Sequence, residues 1–273
     1  MSGEAMASRY FIIYSGKKPT VIEKVKEIEE FIKSRGFIVD SIQIDEVMEN
    51  GIPADIEALI VLGGDGTLLK SISRLPRSSI PILTINYGRG GYLMNVEPEN
   101  SIEAVEKILE GRYLVEKTLM LSFKAEGRKI GNALNEAYIS PAVPGKIMEF
   151  TIMKKGTVFY SGICDALIIS TPIGSTAYAF SAGGPAVDNT LESAVIVPVC
   201  PLTNTRPVVL AIDEKFIVMA QSRFNLQVLI DGHIQSVFGG NIKLEVEKSE
   251  DHVLFINFEG YISFARRIQK RFK

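Results

Sequence analysis

The sequence of 273 residues is poor in the residue types that support several kinds of chemistry: it has no tryptophan, two cysteines and two histidines. Cys164, Cys200, His233 and His252 are too few and too scattered for a zinc site or a disulfide framework. Both cysteines stand among apolar residues, so we expect buried, reduced thiols. No serine–histidine or cysteine–histidine pair stands out, which disfavours catalysis by a histidine base.

Long hydrophobic runs and a surplus of one charge are also missing. No apolar segment approaches the roughly 18 residues of a membrane span, and the first ten residues, MSGEAMASRY, lack the apolar core of a secretory signal. The net charge is −2 and the pI is near 5.9, which argues against general binding to nucleic acid. We therefore expect a soluble, cytoplasmic protein that binds neither nucleic acid nor membranes.

A glycine-rich turn interrupts the sequence LIVLGGDGTLLKSIS, residues 59–73. The run before it, residues 58–62, is typical of a strand buried in a parallel sheet. Leucine and isoleucine then recur at helical spacing, which predicts a strand-to-helix turn. Gly63, Gly64 and Gly66 are predicted to adopt positive φ angles and to expose N–H groups beside the positive end of the helix dipole. Such a turn favours binding of a phosphate group.

An aspartate in this turn makes phosphate binding an incomplete interpretation. The turn GGDGT, residues 63–67, has neither the spacing and lysine of a P-loop nor the pattern of a dinucleotide fingerprint. The carboxylate of Asp65 would repel a phosphate, so it indicates either a metal ion or a proton that is to be removed. A tight connection without function is the alternative, because most glycine turns are only that.

The first part of the chain alternates short apolar strands with helical patterns. The predicted strands are residues 10–15, 37–44, 58–62 and 80–85. The first helix is predicted to begin with a capping box of Thr20 and Glu23 and to end at Gly36, and Asn100 and Glu103 are predicted to cap a later helix. This alternation indicates a Rossmann-like α/β domain, in which ligands bind beyond the carboxyl ends of the strands.

From about residue 112 the sequence changes to β-branched segments separated by glycine, proline or asparagine. These segments are residues 119–123, 137–140, 150–153, 166–171, 194–198, 216–220, 226–230, 242–246 and 253–258. They predict a mostly antiparallel β domain. We place the α/β domain at residues 1–98 and the β domain at 99–258. The tail, residues 259–273, is expected to end in a short helix and to pack back on the α/β domain.

Two polar clusters in the β-rich part are candidates for binding a nucleoside. Asn135 offers a donor and an acceptor to the edge of a base, and Glu136 can accept hydrogen bonds from sugar hydroxyls, although a polar turn would also explain this pair. The second cluster, STPIGSTAY at residues 170–178, combines four small hydroxyl residues with an aromatic ring. It is interpreted as a nucleotide cradle or as a structural turn.

Taken together, GGDGT at 63–67, Asn135-Glu136 and STPIGSTAYAFSAGGP at 170–185 resemble the NAD kinase family over nearly the whole chain. GGDGT alone is shared with diacylglycerol and sphingosine kinases, whereas GSTAY after an NE pair is specific to NAD kinases. The resemblance implies phosphorylation of the adenosine ribose 2′-hydroxyl of NAD, with ATP or polyphosphate as donor. It also implies a divalent metal, Mg²⁺, carried by that donor, and a prokaryotic or archaeal type of enzyme.

The resemblance further implies roles for single residues. Asp65 matches the family's general base. The phosphate-donor loop matches Gly63, Gly64, Gly66 and Thr67. The positions that hold the adenosine half of NAD match Asn135, Glu136, Thr176, Ala177 and Tyr178, and further matches are Ser181 and Asp231. Asp165 matches a position that approaches the nicotinamide end, partly across a subunit interface.

Some positions depart from the family pattern, and other functions stay open. Ile173 replaces a serine or threonine of many members, and residues 162–164 lack an arginine that some bacterial members place beside the 2′-phosphate. The alternatives are a lipid or sphingoid-base kinase with the same loop, and an NAD-binding sensor without turnover. Exposed edge strands and the resemblance together predict a symmetric dimer or a tetramer of dimers, with Asp165 near the interface.

Overall fold

The computed structural model describes residues 8–88 and 90–258, together with positions 265, 268 and 269. The chain divides into two compact units: unit 1 is Met1–Lys117 with Val253–Lys273, and unit 2 is Thr118–His252. No helix within the described residues is both long and apolar enough to span a membrane. The predicted terminal helix, residues 261–273, lies outside the described residues except at those three positions.

Unit 1 contains a parallel sheet with helices between its strands. Its elements are β1 (Arg9–Tyr14), α1 (Pro19–Ser34), β2 (Ile38–Gln43), α2 (Val47–Asn50), β3 (Ala58–Gly63), α3 (Asp65–Ile72), β4 (Pro81–Asn86) and α4 (Ser101–Leu109). The strands lie in the order β2-β1-β3-β4, and Leu254 and Phe255 pair in parallel with the start of β4. The alternation of strands and helices confirms the predicted α/β fold. The carboxyl ends of β3 and β4 therefore meet at one edge of the sheet.

Helix α1 packs on this sheet through the apolar stripe that its spacing predicts: Val21, Val25, Ile28 and Ile32. Its predicted capping box is wrong, because the N-cap is Lys18, no side chain caps the helix, and Pro19 occupies the first turn with Thr20. Proline at this position already has a helical φ and no N–H that needs a partner. Asn100 is the N-cap of α4, but its side chain makes no capping hydrogen bond.

Unit 2 is almost entirely β structure, which confirms the second predicted fold class. Its elements are β5 (Leu114–Ala125), β6 (Arg128–Ala133), β7 (Glu136–Pro141), β8 (Met148–Lys154), β9 (Thr157–Cys164), β10 (Ala166–Ser170), α5 (Tyr178–Ser181), β11 (Ser193–Val199), β12 (Val208–Ala211), β13 (Phe216–Gln221), β14 (Leu226–Ile230), β15 (His233–Phe238) and β16 (Asn241–Asn257). Strand β5 begins in unit 1, and β16 ends there.

Two antiparallel groups of strands in unit 2 share one hydrophobic core. One group is the six-stranded sheet β12-β11-β10-β7-β14-β15, and the other includes the run β16-β13-β8-β9. Phe123, Phe150 and Phe216 are fully enclosed side chains of that core. The core fixes both the turn that enters β7 and the end of β10.

Several strands of unit 2 differ from the predicted ones. Strand β16 is continuous, although its charged middle predicted two separate strands. The strands that were not predicted are β6, β9, β12 and β15. They lie at sheet edges, where a strand has a single neighbouring strand and the apolar pattern weakens. Edge position thus explains why hydrophobic periodicity alone missed them.

Candidate functional site

The glycine turn of unit 1 joins the buried end of β3 directly to α3. Helix α3 begins at Asp65, and Gly64 is its N-cap with a φ of −117°. The predicted positive φ angles are wrong for Gly63, Gly64 and Gly66. Close approach explains two of these glycines instead, because a Cβ atom on Gly63 would lie 2.5 Å from Thr67 Oγ1 and one on Gly64 would lie 3.3 Å from the Cα of Gly88.

The carboxylate of Asp65 is held by main-chain N–H groups from a neighbouring turn. Oδ2 accepts a hydrogen bond from the N–H of Tyr92 at 3.1 Å, and Oδ1 accepts one from the N–H of Leu93 at 3.0 Å. The positive end of the α3 dipole also favours a negative charge at this position. The turn therefore presents a half-buried, oriented carboxylate beside N–H groups that suit a phosphate.

The neighbouring turn is a second glycine-rich segment, and the sequence reasoning missed it. Gly88, Gly90 and Gly91 follow β4 at the carboxyl-terminal end of the parallel strands, where Asp65 also lies. Gly91 has a φ of +63°, and a Cβ atom there would lie 2.6 Å from the side chain of Asn86. Three glycines within four residues after a buried strand were the signal that could have identified this segment.

In unit 2, Asn135 and Glu136 lie where the chain turns into β7. The carboxylate of Asp231, in the turn between β14 and β15, accepts N–H hydrogen bonds from Leu134, Asn135 and Glu136 at 2.9, 2.8 and 3.2 Å. Asp231 itself has a φ of +48°. One half-buried carboxylate thus fixes the main chain of both predicted ligand-binding residues.

The two polar clusters of unit 2 lie together and are hydrogen-bonded to each other. The N–H of Thr171 donates to the carbonyl of Asn135 at 2.8 Å, and its hydroxyl donates to the carbonyl of Leu134 at 2.5 Å. Gly174 packs against this main chain, since a Cβ atom there would lie 2.1 Å from the carbonyl oxygen of Asn135. The GSTAY segment therefore depends on the NE turn for its position.

Most hydroxyls of the second cluster serve this packing, as the alternative of a structural turn predicts for part of the cluster. The hydroxyl of Ser170 donates to the carbonyl of Asn135, and that of Ser175 donates to the carbonyl of Pro172 and accepts from the N–H of Val187. Ser170, Thr171 and Ser175 are fully buried. Ile173 is buried as well, so it acts as a core residue of the turn.

Glu136 has an unusual carboxyl group. The side chain is 9% exposed, Oε2 has no hydrogen-bond partner among the described residues, and the N–H of Tyr178 bonds to the carboxyl. Burial, and after it the charge of Asp231, raises the pKa of Glu136 to about 8. A carboxyl group with this pKa favours the protonated form at neutral pH, so Glu136 can donate a hydrogen bond in addition to the predicted acceptor role.

The remaining predicted residues of unit 2 differ in their access to a ligand. Tyr178 is exposed, and its ring stacks on that of Tyr138 with centroids 5.5 Å apart. Thr176 is buried and its hydroxyl donates to the carbonyl of Ile173, Ala177 is half-buried, and Ser181 is exposed at the end of α5.

Asp165 does not join this group, because it precedes β10 whereas Ser170 ends that strand. Five residues of strand separate the two positions by about 17 Å. Asp165 is exposed there, and its N–H donates to the carbonyl of Val199. A ligand contact at Asp165 would therefore involve a different part of the ligand from the one near Glu136.

Two expectations about thiols and metals can be compared with the structure. Cys164 is buried, and burial raises the pKa of its thiol to about 12, but Cys200 is exposed, so its predicted burial is wrong. Within the described residues, no three histidine, cysteine or acidic side chains are grouped so that they could hold a metal ion.

Comparison with known proteins connects both units to one family. The ATP-NAD kinase N-terminal domain matches residues 4–113, and the ATP-NAD kinase C-terminal domain matches residues 134–258. The NAD kinase of Pyrococcus abyssi is 32% identical over 276 residues, which cover 96% of this chain and 99% of that protein. The NAD kinase of Thermococcus sibiricus is 34% identical over 80% of each chain.

Solved structures agree in fold. An NAD kinase from Archaeoglobus fulgidus, in complex with ATP, has a TM-score of 0.79 and 31% identity, and the match covers 96% of this chain and 98% of that one. Yeast NADH kinase complexed with NADH has a TM-score of 0.81 at 19% identity and covers 96% of this chain and 86% of that one, which is a likeness of fold alone.

Proposed function

Because this chain belongs to the NAD kinase family, we propose that it transfers a phosphoryl group to the 2′-hydroxyl of the adenosine ribose of NAD and so forms NADP. The observation that carries the proposal is the oriented carboxylate of Asp65, which stands in a glycine turn at the first residue of α3. ATP is the proposed donor, with inorganic polyphosphate as the second donor to be tested.

Asp65 acts in this proposal as the base toward the 2′-hydroxyl. A carboxylate is a weak base, so it takes the proton late, when the oxygen is already bonding to phosphorus in a loose transition state. Gly63, Gly64, Gly66 and Thr67 present main-chain and hydroxyl groups to the phosphates of the donor. The two N–H groups that bond to Asp65 keep its oxygens directed, so the base needs no rearrangement before the transfer.

The nucleoside part of NAD is assigned to the NE turn and the GSTAY segment. Asn135 carries an amide that makes no hydrogen bond to another described residue, and an amide can pair with both a donor and an acceptor. Protonated Glu136 donates to a sugar oxygen, and the exposed ring of Tyr178 offers a stacking face. Thr176, Ala177 and Ser181 complete this group, and Asp165 is assigned to the nicotinamide end.

The divalent metal is proposed to arrive with the polyphosphate of the donor. It would neutralise the charge of the phosphates, and the described residues supply no group of ligands for it. Asp65, Asn135 and Glu136 act in this proposal through their own side chains and do not depend on contact with the metal. The composition, with a net charge of −2 and no basic surplus, supports a cytoplasmic enzyme that acts on small molecules.

A single assay tests the proposal: formation of NADP from NAD by the purified full-length protein, with Mg²⁺ and either ATP or polyphosphate. We expect NADP with at least one donor. Tight NAD binding without NADP would support the alternative of a sensor. Phosphorylation of a lipid or a sphingoid base, without preference for NAD, would support a lipid kinase.

We also propose that the protein self-associates as a dimer or as a tetramer of dimers. Strand β9 is an edge of its sheet, and its residues Val158 and Phe159 are 52% and 43% exposed. An apolar edge strand of this kind invites pairing with a second copy. Sedimentation equilibrium should show an oligomer that Phe159→Asp weakens, whereas Phe224→Asp, at another exposed phenylalanine, should leave it intact. A monomer at micromolar concentration with full activity would contradict this proposal.

A further inference from the structure

Thr84 is a polar residue inside an otherwise apolar strand. It is fully buried in the middle of β4, between Leu83 and Ile85, and it pairs in register with Val61 of β3. A valine would fill the same volume and would suit a buried parallel strand better. A hydroxyl group costs free energy at such a position unless it is hydrogen-bonded, so its partners indicate its role.

Both hydrogen bonds of this hydroxyl go to one short segment of main chain. Thr84 Oγ1 accepts from the N–H of Asn95 at 2.8 Å and donates to the carbonyl of Leu93 at 3.2 Å. The side-chain amide of Asn95 in turn donates to Asn257 Oδ1 at 2.8 Å and to the carbonyl of Ile256 at 3.3 Å. The segment 93–95 is therefore fixed to β4 on one side and to the end of β16 on the other.

The same segment holds the carboxylate of Asp65. Leu93 directs its N–H to Asp65 Oδ1 and its carbonyl to the hydroxyl of Thr84, and the N–H of Tyr92 reaches Asp65 Oδ2. A single residue, Leu93, thus connects the buried hydroxyl with the carboxylate. Loss of the hydroxyl would release the carbonyl of Leu93 and the N–H of Asn95 from β4.

We infer that Thr84 is a positioning residue for Asp65, because its hydroxyl fixes the segment whose N–H groups orient the carboxylate. The inference rests on the proposed function of Asp65. A purely structural role of Thr84 would lower stability and leave turnover unchanged. A positioning role lowers turnover, leaves NAD affinity unchanged, and loosens the N–H groups of Tyr92 and Leu93.

The test compares Thr84→Val with Thr84→Ser, which keeps the hydroxyl, in the full-length protein. The valine variant loses both hydrogen bonds of the hydroxyl, so the segment that orients Asp65 loosens and kcat for NADP formation should fall about 10- to 100-fold. NAD affinity, measured by titration calorimetry, should stay within about twofold of wild type, since the valine leaves unit 2 unchanged. Thr84→Ser should restore most of kcat. If the valine variant does not fold, Thr84→Ala removes the same hydroxyl with less bulk to accommodate.

Ser71→Ala is the matched control. Ser71 is a fully buried residue of the same unit, and its hydroxyl donates to the carbonyl of Thr67 at 2.9 Å instead of to segment 93–95. Its kcat should stay close to wild type. Hydrogen exchange of the peptide covering residues 90–96, measured without substrate, should speed up in the valine variant and not in this control.

Each outcome decides the inference. Unchanged kcat in Thr84→Val, an unchanged exchange rate at residues 90–96, or an equal loss of kcat in Ser71→Ala would overturn it. A wild-type protein that forms no NADP would refute the proposed function instead. The exchange measurement needs no turnover, so it would still show whether Thr84 fixes the segment.

Discussion

The carboxylates of the two units make the same kind of hydrogen bond in different surroundings. Asp65 of unit 1 accepts hydrogen bonds from two main-chain N–H groups at a helix N-terminus, whereas Asp231 of unit 2 accepts three, and both residues are half-buried. Burial raises the pKa of Asp231 in spite of its three donors, and it raises that of Glu136 beside it. The number of N–H groups that bond to a carboxyl group thus does not by itself determine its pKa.

The difference suits two separate tasks. An accessible, oriented carboxylate can take a proton from a hydroxyl group, and its neighbouring N–H groups can bind phosphate. A pair of neighbouring carboxyl groups whose pKa values are raised by burial is suited to holding a turn in place and to offering a neutral hydrogen-bond donor. We therefore expect substitutions in unit 1 to change the rate of reaction and those in unit 2 to change stability and NAD binding.

The largest effect should come from Asp65→Asn. The amide preserves the size of the side chain but cannot act as a base, and general bases contribute about 10²–10⁴ in rate. We expect a loss of that size in kcat, with NAD affinity by titration calorimetry little changed. A variant that keeps more than about a tenth of wild-type kcat would show that Asp65 is not the base.

A different outcome would keep the function but change the mechanism. If turnover collapses, donor binding weakens and added Mg²⁺ restores part of the activity, then Asp65 positions the metal of the donor. Measurement of the apparent affinity for ATP at several Mg²⁺ concentrations separates the two cases.

Asp231→Asn should produce the next largest effect. It should change stability and the affinity for NAD rather than kcat. The amide offers one acceptor oxygen, and its NH₂ group would face a main-chain N–H, so at least one buried N–H of the NE turn loses its partner, at a cost of about 1–3 kcal/mol. Urea denaturation should report that loss, and the Kd for NAD should rise. Asp213→Asn, at an exposed aspartate that pairs with Lys154, is the control and should change stability far less. Equal losses of stability in both variants would show that Asp231 does not stabilise the NE turn more than an exposed aspartate would.

The smallest effect concerns the pH dependence of stability. The unfolded chain releases the proton of Glu136 near its ordinary value of 4.5, whereas the folded protein keeps it up to about pH 8. The folded state therefore binds more protons between these values, and the free energy of unfolding falls gradually as pH rises through this window.

Glu136→Gln should flatten this slope, because the amide cannot release a proton. Thermal unfolding at pH 5 to 8 measures it, and Glu149→Gln, at an exposed glutamate of β8, should keep the wild-type slope. Parallel curves for wild type and Glu136→Gln would show that Glu136 is already ionised at neutral pH.

The sequence was most informative where burial leaves a regular pattern. The apolar runs of β1, β3 and β4 and the stripe of α1 predicted unit 1, because a two-sided core demands apolar residues at fixed spacing. The GGDGT, NE and GSTAY motifs identified the residues of the candidate site. Motifs show which residues are present, but not which of their atoms are already used within the protein.

The interactions that the sequence did not reveal join residues far apart in the chain. The hydrogen bond from Leu93 to Asp65 spans 28 positions, and the one from Asn135 to Asp231 spans 96. No local spacing in the sequence encodes such pairs. Neither the two N–H groups that hold Asp65 nor the raised pKa of Glu136 could therefore be predicted. The buried hydroxyls of Ser170 and Thr171 looked like ligand contacts for the same reason.

Unit 1 is built from two segments, one on each side of unit 2 in the sequence. Its sheet therefore cannot form completely until the second segment has been synthesised. Leu254 and Phe255 pair with β4, and Asn257 bonds to Asn95, yet all three leave the ribosome after the whole of unit 2. Until residues 254 and 255 have been synthesised, one side of β4 lacks its neighbouring strand. All residues of unit 2 are present by then. The segment that directs Asp65 can thus be fastened on its second side, at Ile256 and Asn257, only after unit 2 has been translated.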